Sequence, residues 1–483
     1  MRDMVLILNF DGAGSRAVAR ALRAEHVYCK IVPPTVRQEE VAAQEPLGLI
    51  LAGGVTGAVP TGLDARLLGG DWPVLALGDA ACALCRDLGG DALEVAIGSG
   101  VRAVRFARCA LTEGLDDCER MLRSVRRLRL PEGARLLAES EGEAVGFYLE
   151  TLPLYGVQFA LEQNDTDGTQ LLLGFALNIC GCTRWWDESA FVQRAVEEIT
   201  RVVGDGRAVC AMTGGLSSGV TALLAHRALG DRLQCVFIDT GLMRRDETAR
   251  FLAVYRDQLG LPITPVQGQD RFLAALAGIS DPAEKRLVIG QVLQETLSET
   301  VSGLGAFDVI LRSTTCNDIL NGEDYRRRPG IRGEQPVVEP LRELFKDEVR
   351  RVGAYLGLPD EVLQRPTFPG SGLALRILGE VTPARLQTVR AAEQAFDEEI
   401  EAAGQGKRLG QHFAVLSPLP GDDAHAQIIL RAVNAGDALT YAARPPYDLL
   451  ERVTERILRE RPEVARVVYD LTPATRRSGV EWQ

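Results

Sequence analysis

The sequence predicts an α/β protein with largely parallel sheets, and two observations support this fold class. Short apolar runs alternate with amphipathic segments of helical spacing. In the middle of the chain, the apolar run Ala208 to Met212 passes through Gly214-Gly215 into a helical pattern, and a second apolar run, Gln234 to Ile238, follows. At 483 residues the chain is too long for one hydrophobic core, so about three domains are expected.

Residues 1–190 are expected to form the first domain, in which strands alternate with helices. A helix is expected from Arg16 to Arg23, directly after the first strand. The expected strands are Met4 to Leu8, Val27 to Val32, Gly48 to Ala52, Pro73 to Leu77, Ala144 to Glu150 and Leu154 to Phe159. A further helix, from about Asp187 to Val203, leads to Gly204-Asp205-Gly206, which marks the boundary.

Residues 191–385 and 386–483 are expected to form the second and third domains. Asp308 to Leu311 predicts a strand, and Glu339 to Arg351 predicts a solvated helix because opposite charges lie three and four residues apart. The third domain should begin with a helix from about Pro383 to Ala402 and end with a strand at 465–470. The basic loop 325–330 (Tyr-Arg-Arg-Arg-Pro-Gly) could face a phosphate or could simply be solvated.

The glycine turn after Met212 has the composition of an anion site. The first turn of a helix presents unpaired N–H groups, and Gly214 and Gly215 allow the backbone to approach a phosphate or pyrophosphate closely. Ser217 and Ser218 add hydroxyl groups. The polar run 239–241 (Asp-Thr-Gly) follows the next strand, at the edge where parallel sheets bind ligands. An ordinary strand-to-helix corner would show the same local pattern.

Charge and cysteine content exclude several functional classes. There are 54 basic and 66 acidic residues and the net charge is −12, which argues against nucleic-acid or membrane partners. No apolar run reaches the roughly 18 residues of a spanning helix, and the N-terminus predicts a strand instead of a signal peptide. We therefore expect a soluble, cytoplasmic protein. The ten cysteines and four histidines show no metal-ligand spacing, so no metal site is predicted and the cysteines should be reduced.

Seven stretches of the chain, in order, resemble the GMP synthases over nearly its whole length. They are VYC at 27–29, YGVQF at 155–159, ICGCT at 179–183, FLAALAGISDPAEKR at 272–286, EPLRELFKDEVR at 339–350, FPGSGLALRILGE at 368–380 and RVVYD at 466–470. The resemblance implies a flavodoxin-like glutaminase domain, a doubly wound ATP pyrophosphatase domain of the adenine-nucleotide α-hydrolase type, and a small α+β domain that forms dimers. In that family glutamine supplies ammonia, ATP adenylates XMP, and ammonia displaces AMP.

The glutaminase part departs from the family at its nucleophile and base. The family places a cysteine after the strand that ends at Leu77 and a histidine two residues after the match to Gln158. This chain has Gly78 and Ala160 there, and only the orienting carboxylate, Glu162, remains. Thioester chemistry needs a thiolate and a base that activates it. Cys82 lies one helical turn beyond the elbow, so we expect a retained scaffold without glutaminase activity.

The ATP pyrophosphatase loop departs in part. The family's Ser-Gly-Gly-Val-Asp-Ser-Ser aligns with the expected ATP-binding residues Thr213, Gly214, Gly215, Leu216, Ser217, Ser218 and Gly219. Asp239 and Gly241 match the family's Asp-Asn-Gly run, and Arg312 stands where the family has glutamine. The resemblance implies ATP with Mg²⁺ as cofactor. The expected catalytic residues are Ser217, Asp239, Arg312 and Lys346.

The acceptor side has changed most. Residues 329–335 replace the family's histidine-containing lid, residues 418–423 are a shortened segment, and the phosphate-contacting lysine near the C-terminus is absent. The expected substrate-binding residues are Gly370, Ser371, Arg376, Arg476, Arg477 and Glu481. Arginine can hold phosphate in a bidentate fork, so a purine-like anion can still bind, whereas poor conversion of XMP is expected. The two C-terminal arginines could equally be solvated tail residues.

Two functions of different classes fit these residues. The first is an ATP-dependent, AMP-forming ligase that acts on a purine-like acceptor with ammonia, an amine or another nucleophile from a separate source. The second is a nucleotide-binding pseudoenzyme with a regulatory or scaffolding role. Both interpretations include a homodimer formed through residues 386–483. The retained loop glycines favour ligand binding, and the losses in the glutaminase part, the loop and the lid fit either function.

Overall fold

The structure is a computed structural model that divides into two compact units, residues 1–191 and 192–483. It describes residues 3–53, 62–94, 100–122, 126–159, 166–320, 331, 333–365, 368, 370–406, 409–419, 421–434 and 442–472. Ala160 and Glu162, the basic loop 325–330, residues 329, 330 and 332 of the segment 329–335, and Arg476, Arg477 and Glu481 lie outside the described residues. No helix in the described ranges is long and apolar enough to cross a bilayer.

The first unit contains a mixed sheet with the order β2-β1-β3-β4-β11-β10-β9-β6-β7 in its described residues. Its strands, with the separate pair β5 and β8, are β1 (Val5–Asn9), β2 (Cys29–Val32), β3 (Gly48–Ala52), β4 (Val74–Leu77), β5 (Asp91–Glu94), β6 (Gly100–Phe106), β7 (Cys118–Leu122), β8 (Arg126–Arg129), β9 (Ala134–Ser140), β10 (Glu143–Leu149) and β11 (Leu154–Val157). The helices are α1 (Gly12–Ala24), α2 (Gln38–Ala42), α3 (Asp79–Asp87) and α4 (Thr166–Leu173).

The expected largely parallel sheet of the first unit is only half parallel. Strands β2-β1-β3-β4-β11 pair in parallel, in the flavodoxin-like order, and helices connect several of them. Strands β10, β9, β6 and β7 continue the sheet in antiparallel pairs. The sequence prediction was wrong here because β6, β7 and β9 carry charged residues among their apolar ones, so their apolar alternation is weak.

The second unit is built on a fully parallel sheet with the order β14-β13-β12-β15-β16. Its strands are β12 (Ala208–Met212), β13 (Leu233–Asp239), β14 (Ile263–Gln267), β15 (Val309–Leu311) and β16 (Val337–Val338). The chain builds outward from β12 through β13 to β14 and then returns to place β15 on the other side of β12. The boundary between β12 and β15 is therefore the topological switch point, where such sheets bind ligands.

The helices of the second unit begin with signals that the sequence carries. They are α5 (Glu188–Val203, which contains the division between the units), α6 (Leu216–Leu229), α7 (Glu247–Leu252), α8 (Gln269–Ala275), α9 (Pro282–Gly303), α10 (Cys316–Leu320), α11 (Lys346–Tyr355), α12 (Asp360–Leu363), α13 (Pro383–Ala402) and α14 (Tyr447–Glu460). Asp281 and Thr382 cap α9 and α13, each followed by proline at the first helical position, as the preferences of helix N-termini require.

The helix expected across 339–351 begins later than the charge pattern suggested. Residues 339–345 form turns, and α11 begins at Lys346, where Glu348 accepts a hydrogen bond from the N–H of Phe345 at 2.8 Å. It is not a solvated helix, because Glu348, Val349 and Val352 are buried. The charge pattern suggested a solvated helix, but the same segment has a short apolar face that packs against α6.

Residues 386–483 share one hydrophobic core with the rest of the second unit. The small sheet β17-β18-β19 is formed by β17 (Leu409–Leu419), β18 (Asp422–Asn434) and β19 (Val464–Tyr469), and α13 and α14 pack on it. Buried residues of this part belong to the same apolar cluster as β12, β13 and α9. The segment expected as a third domain is therefore, in this structure, part of the same compact unit. In the shortened segment 418–423, β17 and β18 pair antiparallel as far as Leu419 and Asp422.

Candidate functional site

The glycine turn lies at the switch point of the parallel sheet. Gly214 has φ +76°, a conformation that favours glycine, and a Cβ there would lie in tight contact, 3.3 Å, with the methyl carbon of Met243. Gly215 caps α6 without a side chain, which leaves the first amide groups of a 14-residue helix to a ligand. Thr213 and Gly215 are exposed, and Leu216 and Ser217 are half-buried. The turn is an open cradle of backbone donors.

The Ser218 side chain stabilises this turn through two hydrogen bonds. This side chain is 2% exposed, accepts a hydrogen bond from the N–H of Thr213 at 3.2 Å and donates to the carbonyl of Gly215 at 2.8 Å. Both bonds close the turn on itself. Ser218 therefore fixes the shape of the cradle, and Ser217 is the loop serine that stays partly open to solvent.

Asp239 stands beside the cradle at the end of β13. One carboxylate oxygen accepts the N–H of Gly241 at 2.9 Å and the other accepts from the side-chain amide of Gln269 at 3.1 Å. Asp239 is 7% exposed, so these two bonds hold it in one orientation. Gln269 is a site residue that sequence reasoning missed; its only signal was its position two residues after β14.

Arg312 stands on the other side of the cradle, directly after β15. Its backbone pairs with Val338, and its guanidinium donates to the carbonyl of Ile331 at 3.2 Å. Lys346 is exposed at the start of α11, and its N–H donates to the side chain of Asn317 at 3.2 Å. Strand order thus brings the cradle, Asp239 and Arg312 to adjacent positions on one edge, and Asn317 ties the start of α11 to the segment after β15.

The family's last loop serine is replaced by Gly219 for a visible steric reason. A Cβ at this position would lie 2.6 Å from two ring carbons of Tyr255 and closer still to its hydroxyl. Tyr255 is buried in an aromatic stack with Phe251 and Phe237, and burial raises its pKa to about 12. The hydroxyl has no hydrogen-bond partner among the described residues. The tyrosine ring has taken the space of the missing side chain.

The expected acceptor residues lie in a glycine-containing loop before α13. Gly370 is exposed and Ser371 half-buried, whereas Arg376 is 1% exposed and pairs with Glu393 of α13. Contact between the Arg376 guanidinium and a substrate would therefore require that pair to open. Sequence reasoning gave Arg376 a surface role because a motif match carries no information about burial.

Lys285 anchors the same loop from inside. Its ammonium donates to the carbonyls of Ala374, Ile377 and Gly379, at 3.3, 2.7 and 2.5 Å, and its side chain is fully buried. Burial lowers its pKa to about 8. Lys285 lies in the stretch 272–286 that resembles the GMP synthases, which could have marked it as a site residue. Its sequence neighbours do not indicate that its side chain is buried.

The first unit keeps the elbow geometry of a nucleophile position without a nucleophile. Gly78 lies between β4 and α3 with φ 61° and ψ −131°, a strained combination that glycine tolerates. Gly53 is tight against it, since a Cβ there would lie 2.5 Å from the carbonyl oxygen of Leu77. The residue after the elbow, Asp79, is buried 3.7 Å from the Arg126 guanidinium. A buried carboxylate at this place is unfavourable for an oxyanion.

Cys82 does not take over the missing thiol function in this geometry. It lies one turn into α3, is 3% exposed, and burial raises its pKa, which disfavours the thiolate that attacks a carbonyl. All ten cysteines lie in the described ranges and are free thiols. The elbow therefore holds no activated nucleophile at Gly78 or Cys82.

Comparison with known proteins gives consistent full-length relatives. The family described as GMP synthase C terminal domain matches residues 398–482. The chain is 35% identical to GMP synthase [glutamine-hydrolyzing] of Clostridium tetani, with 100% of both chains covered. It is 36% identical to the protein of that name from Symbiobacterium thermophilum, covering 100% of this chain and 99% of the relative.

Two solved structures overlap parts of the chain. One is a GMP synthase subunit from Thermoplasma acidophilum, 21% identical, with a TM-score of 0.33 over 38% of this chain and 95% of that one. The other is NMN synthetase of Francisella tularensis, 13% identical, with a TM-score of 0.33 over 58% of this chain and 96% of that one.

Proposed function

Because the chain belongs to the GMP synthase family, we propose that it is an ATP-using, AMP-forming ligase without glutaminase activity. Its acceptor is a purine-like anion, and ammonia or another nucleophile completes the reaction. One observation carries the proposal: an open cradle of backbone donors lies at the switch point of a parallel sheet, with Asp239 and Arg312 on the two sides.

The cradle residues fit the phosphates of ATP. The free amide groups at the start of α6 and the positive φ of Gly214 suit a pyrophosphate, and Ser218 keeps the turn in that shape. When bound, ATP supplies the adenylyl group. Arg312 is placed to neutralise phosphate charge that a neutral amide would leave uncompensated.

Mg²⁺ fits this site only together with the nucleotide. The described residues contain no group of three acidic, histidine or cysteine side chains arranged to hold a metal ion. Mg²⁺ is commonly held by substrate phosphates, water and one or two carboxylates. Asp239 is the carboxylate at this edge, and its two hydrogen bonds leave a lone pair on each oxygen. Mg²⁺ would therefore arrive with ATP and be held in part by Asp239.

An AMP-release assay tests the ligase. The protein is incubated with ATP, Mg²⁺, ammonium and a panel of purine nucleotides that includes XMP. AMP formed with one acceptor and absent without it supports the proposal, and we expect XMP to be a poor acceptor. Rapid GMP formation from XMP would refute the altered acceptor. No AMP across the panel, with nucleotide binding intact, would favour the pseudoenzyme.

The glutaminase part of the proposal has its own test. Glutamine should yield no ammonia above a blank, with or without ATP, because Gly78 cannot attack a carbonyl. A related chain with an intact elbow cysteine serves as the positive control. Ammonia release that disappears in Cys82→Ser would show that the nucleophile has moved, and would refute this part.

A further inference from the structure

Two loops of the second unit touch directly. The nucleotide loop (residues 239–244) follows β13, and the acceptor loop (Phe368 and residues 370–376) precedes α13. The N–H of Leu373 donates to the carbonyl of Leu242 at 2.8 Å. Gly372 has φ +63°, and a Cβ there would lie 2.7 Å from the Cβ of Leu242. Any side chain at 372 would push the two loops apart.

Arg390 of α13 holds the nucleotide loop by its backbone. Its Nε donates to the carbonyl of Met243 at 2.8 Å, and its Nη2 donates to the carbonyl of Gly241. A guanidinium is a planar fork of fixed donors, so two bonds to one loop fix the position of both carbonyls. The N–H of Gly241 also donates to the Asp239 carboxylate. Arg390 therefore holds a residue that is hydrogen-bonded to the carboxylate expected to face ATP.

Glu393, one helical turn further along α13, joins both loops with one carboxylate. One oxygen accepts from Arg376 at the end of the acceptor loop and from the N–H of Ala414 at 3.2 Å. The other accepts from Arg244 at the end of the nucleotide loop, at 3.2 Å. Glu393 is 2% exposed, so these bonds have little competition from water.

The Phe368 ring adds a further contact between the two loops. The Arg244 guanidinium lies 4.8 Å from the centre of that ring and the Arg376 guanidinium lies 5.3 Å from it. Both distances are within the range of cation–π attraction. The first residue of the acceptor loop therefore packs against the same two cations that Glu393 binds, and the loops cannot separate without breaking several buried contacts.

We propose that Arg390 and Glu393 are positioning residues that make the nucleotide loop and the acceptor loop move as one body, so that nucleotide binding pre-orders the acceptor loop. This inference rests on the proposed function. Each loop is expected to contact one ligand. Because the loops are bonded to each other and to α13, ordering one loop lowers the entropy cost of ordering the other. The coupling needs no residue that touches both ligands.

Hydrogen exchange of the Leu373 amide is the direct reporter, because that N–H forms the bond between the loops. The probe is the non-hydrolysable ATP analogue AMP-PNP with Mg²⁺, and peptides covering 239–244 and 370–376 are followed by mass spectrometry. In the wild type, saturating analogue should slow exchange in both peptides, by about five-fold or more at Leu373, the lower end of typical ligand coupling. In Arg390→Met the first peptide should still respond and the second should respond less than in the wild type, because the links through Leu373 and Glu393 remain.

Arg245→Met is the matched control. Arg245 also reaches from the nucleotide loop region to α13, but it bonds the exposed side chain of Gln394 at 2.8 Å and no loop carbonyl. It should behave like the wild type. Glu393→Gln, which keeps shape but weakens both charged bonds, should reduce the transmitted response, and Arg390→Lys should restore part of it. Both remain informative if Arg390→Met fails to fold.

The outcomes separate the inference from the function on which it rests. If the analogue binds and slows exchange at 239–244 only, in the wild type as in Arg390→Met, the coupling is refuted and the ligase proposal stands. If Arg390→Met transmits the response fully, Arg390 has no positioning role. If calorimetry detects no binding of the analogue to the wild type, the nucleotide site is wrong and both proposals fall.

Discussion

Gly219→Ser should destabilise the second unit, although it restores the residue that the family carries at this position. The new Cβ would lie 2.6 Å from two ring carbons of Tyr255, whereas real Cβ contacts lie beyond 3 Å. Tyr255 is 2% exposed and its ring centre lies 4.8 Å from that of Phe251, so the ring cannot move without disturbing its neighbours. Something in the core must shift.

The magnitude follows from two opposing effects. Forcing extra atoms into a packed core costs about 1–3 kcal/mol. Replacing glycine by serine inside a helix recovers about 0.5 kcal/mol of backbone entropy. We therefore expect the free energy of unfolding to fall by about 0.5–2.5 kcal/mol. The readout is the calorimetric midpoint, which shifts by about 2–4 °C per kcal/mol in domains of comparable size.

Two variants make this test specific to the contact with Tyr255. Gly303→Ser is the matched control, because a Cβ at this last residue of α9 meets nothing within 4 Å. It should be neutral or slightly stabilising. In a Tyr255→Leu background the cost of Gly219→Ser should shrink, since the two sites are in contact and their effects are not additive. A Gly219→Ser variant as stable as wild type, or one equally unstable in both backgrounds, would refute the steric explanation.

Three further predictions follow from single side chains. Gly214→Val should abolish AMP-PNP binding in calorimetry, because φ +76° and the nearby Met243 exclude a branched side chain; an unchanged Kd would place the nucleotide elsewhere. Burial lowers the pKa of Lys285 from 10.5 to about 8, so the unfolded chain binds more protons between those values, and the unfolding free energy of wild type minus Lys285→Met should rise from pH 8 to 10.5; a flat difference contradicts this. Arg126→Met should cost the first unit about 3 kcal/mol in urea unfolding, because the Asp79 carboxylate stays buried, and a loss below about 1 kcal/mol would show that the pair is unimportant.

Several strands and helices could be predicted from the sequence because their signals are local. The strand Ala208 to Met212 and the strand Gly48 to Ala52 have the predicted bounds, and α13 runs from Pro383 to Ala402 as predicted. Each is a short apolar run ended by glycine, or a periodic segment with a capping residue and proline. Gly78 and Gly214 were singled out by motif position, and both have the positive φ that makes glycine necessary.

The sequence missed elements whose signals are not local. In the antiparallel half of the first sheet the sequence predicted β10 but not β6, β7 and β9, which have little apolar alternation, and α11 is shorter and more buried than its charges indicated. Separate second and third domains were predicted from chain length and from the resemblance to the GMP synthases, and their boundary stays a prediction. The structure joins them through one apolar core, because helices and strands distant in sequence contribute to the same cluster.

By itself, the sequence determined the family, the elements whose patterns are local, and the presence at position 78 of a glycine, which has no side chain that could act as a nucleophile. Only the tertiary structure decided which charged residues are internal. Lys285, Arg376 and Glu393 look like ordinary surface residues in the sequence, yet the structure buries them around the acceptor loop and gives each a partner. The physical reason is that burial of a charge depends on partners from distant segments, and those partners meet only when the sheet and helices pack together.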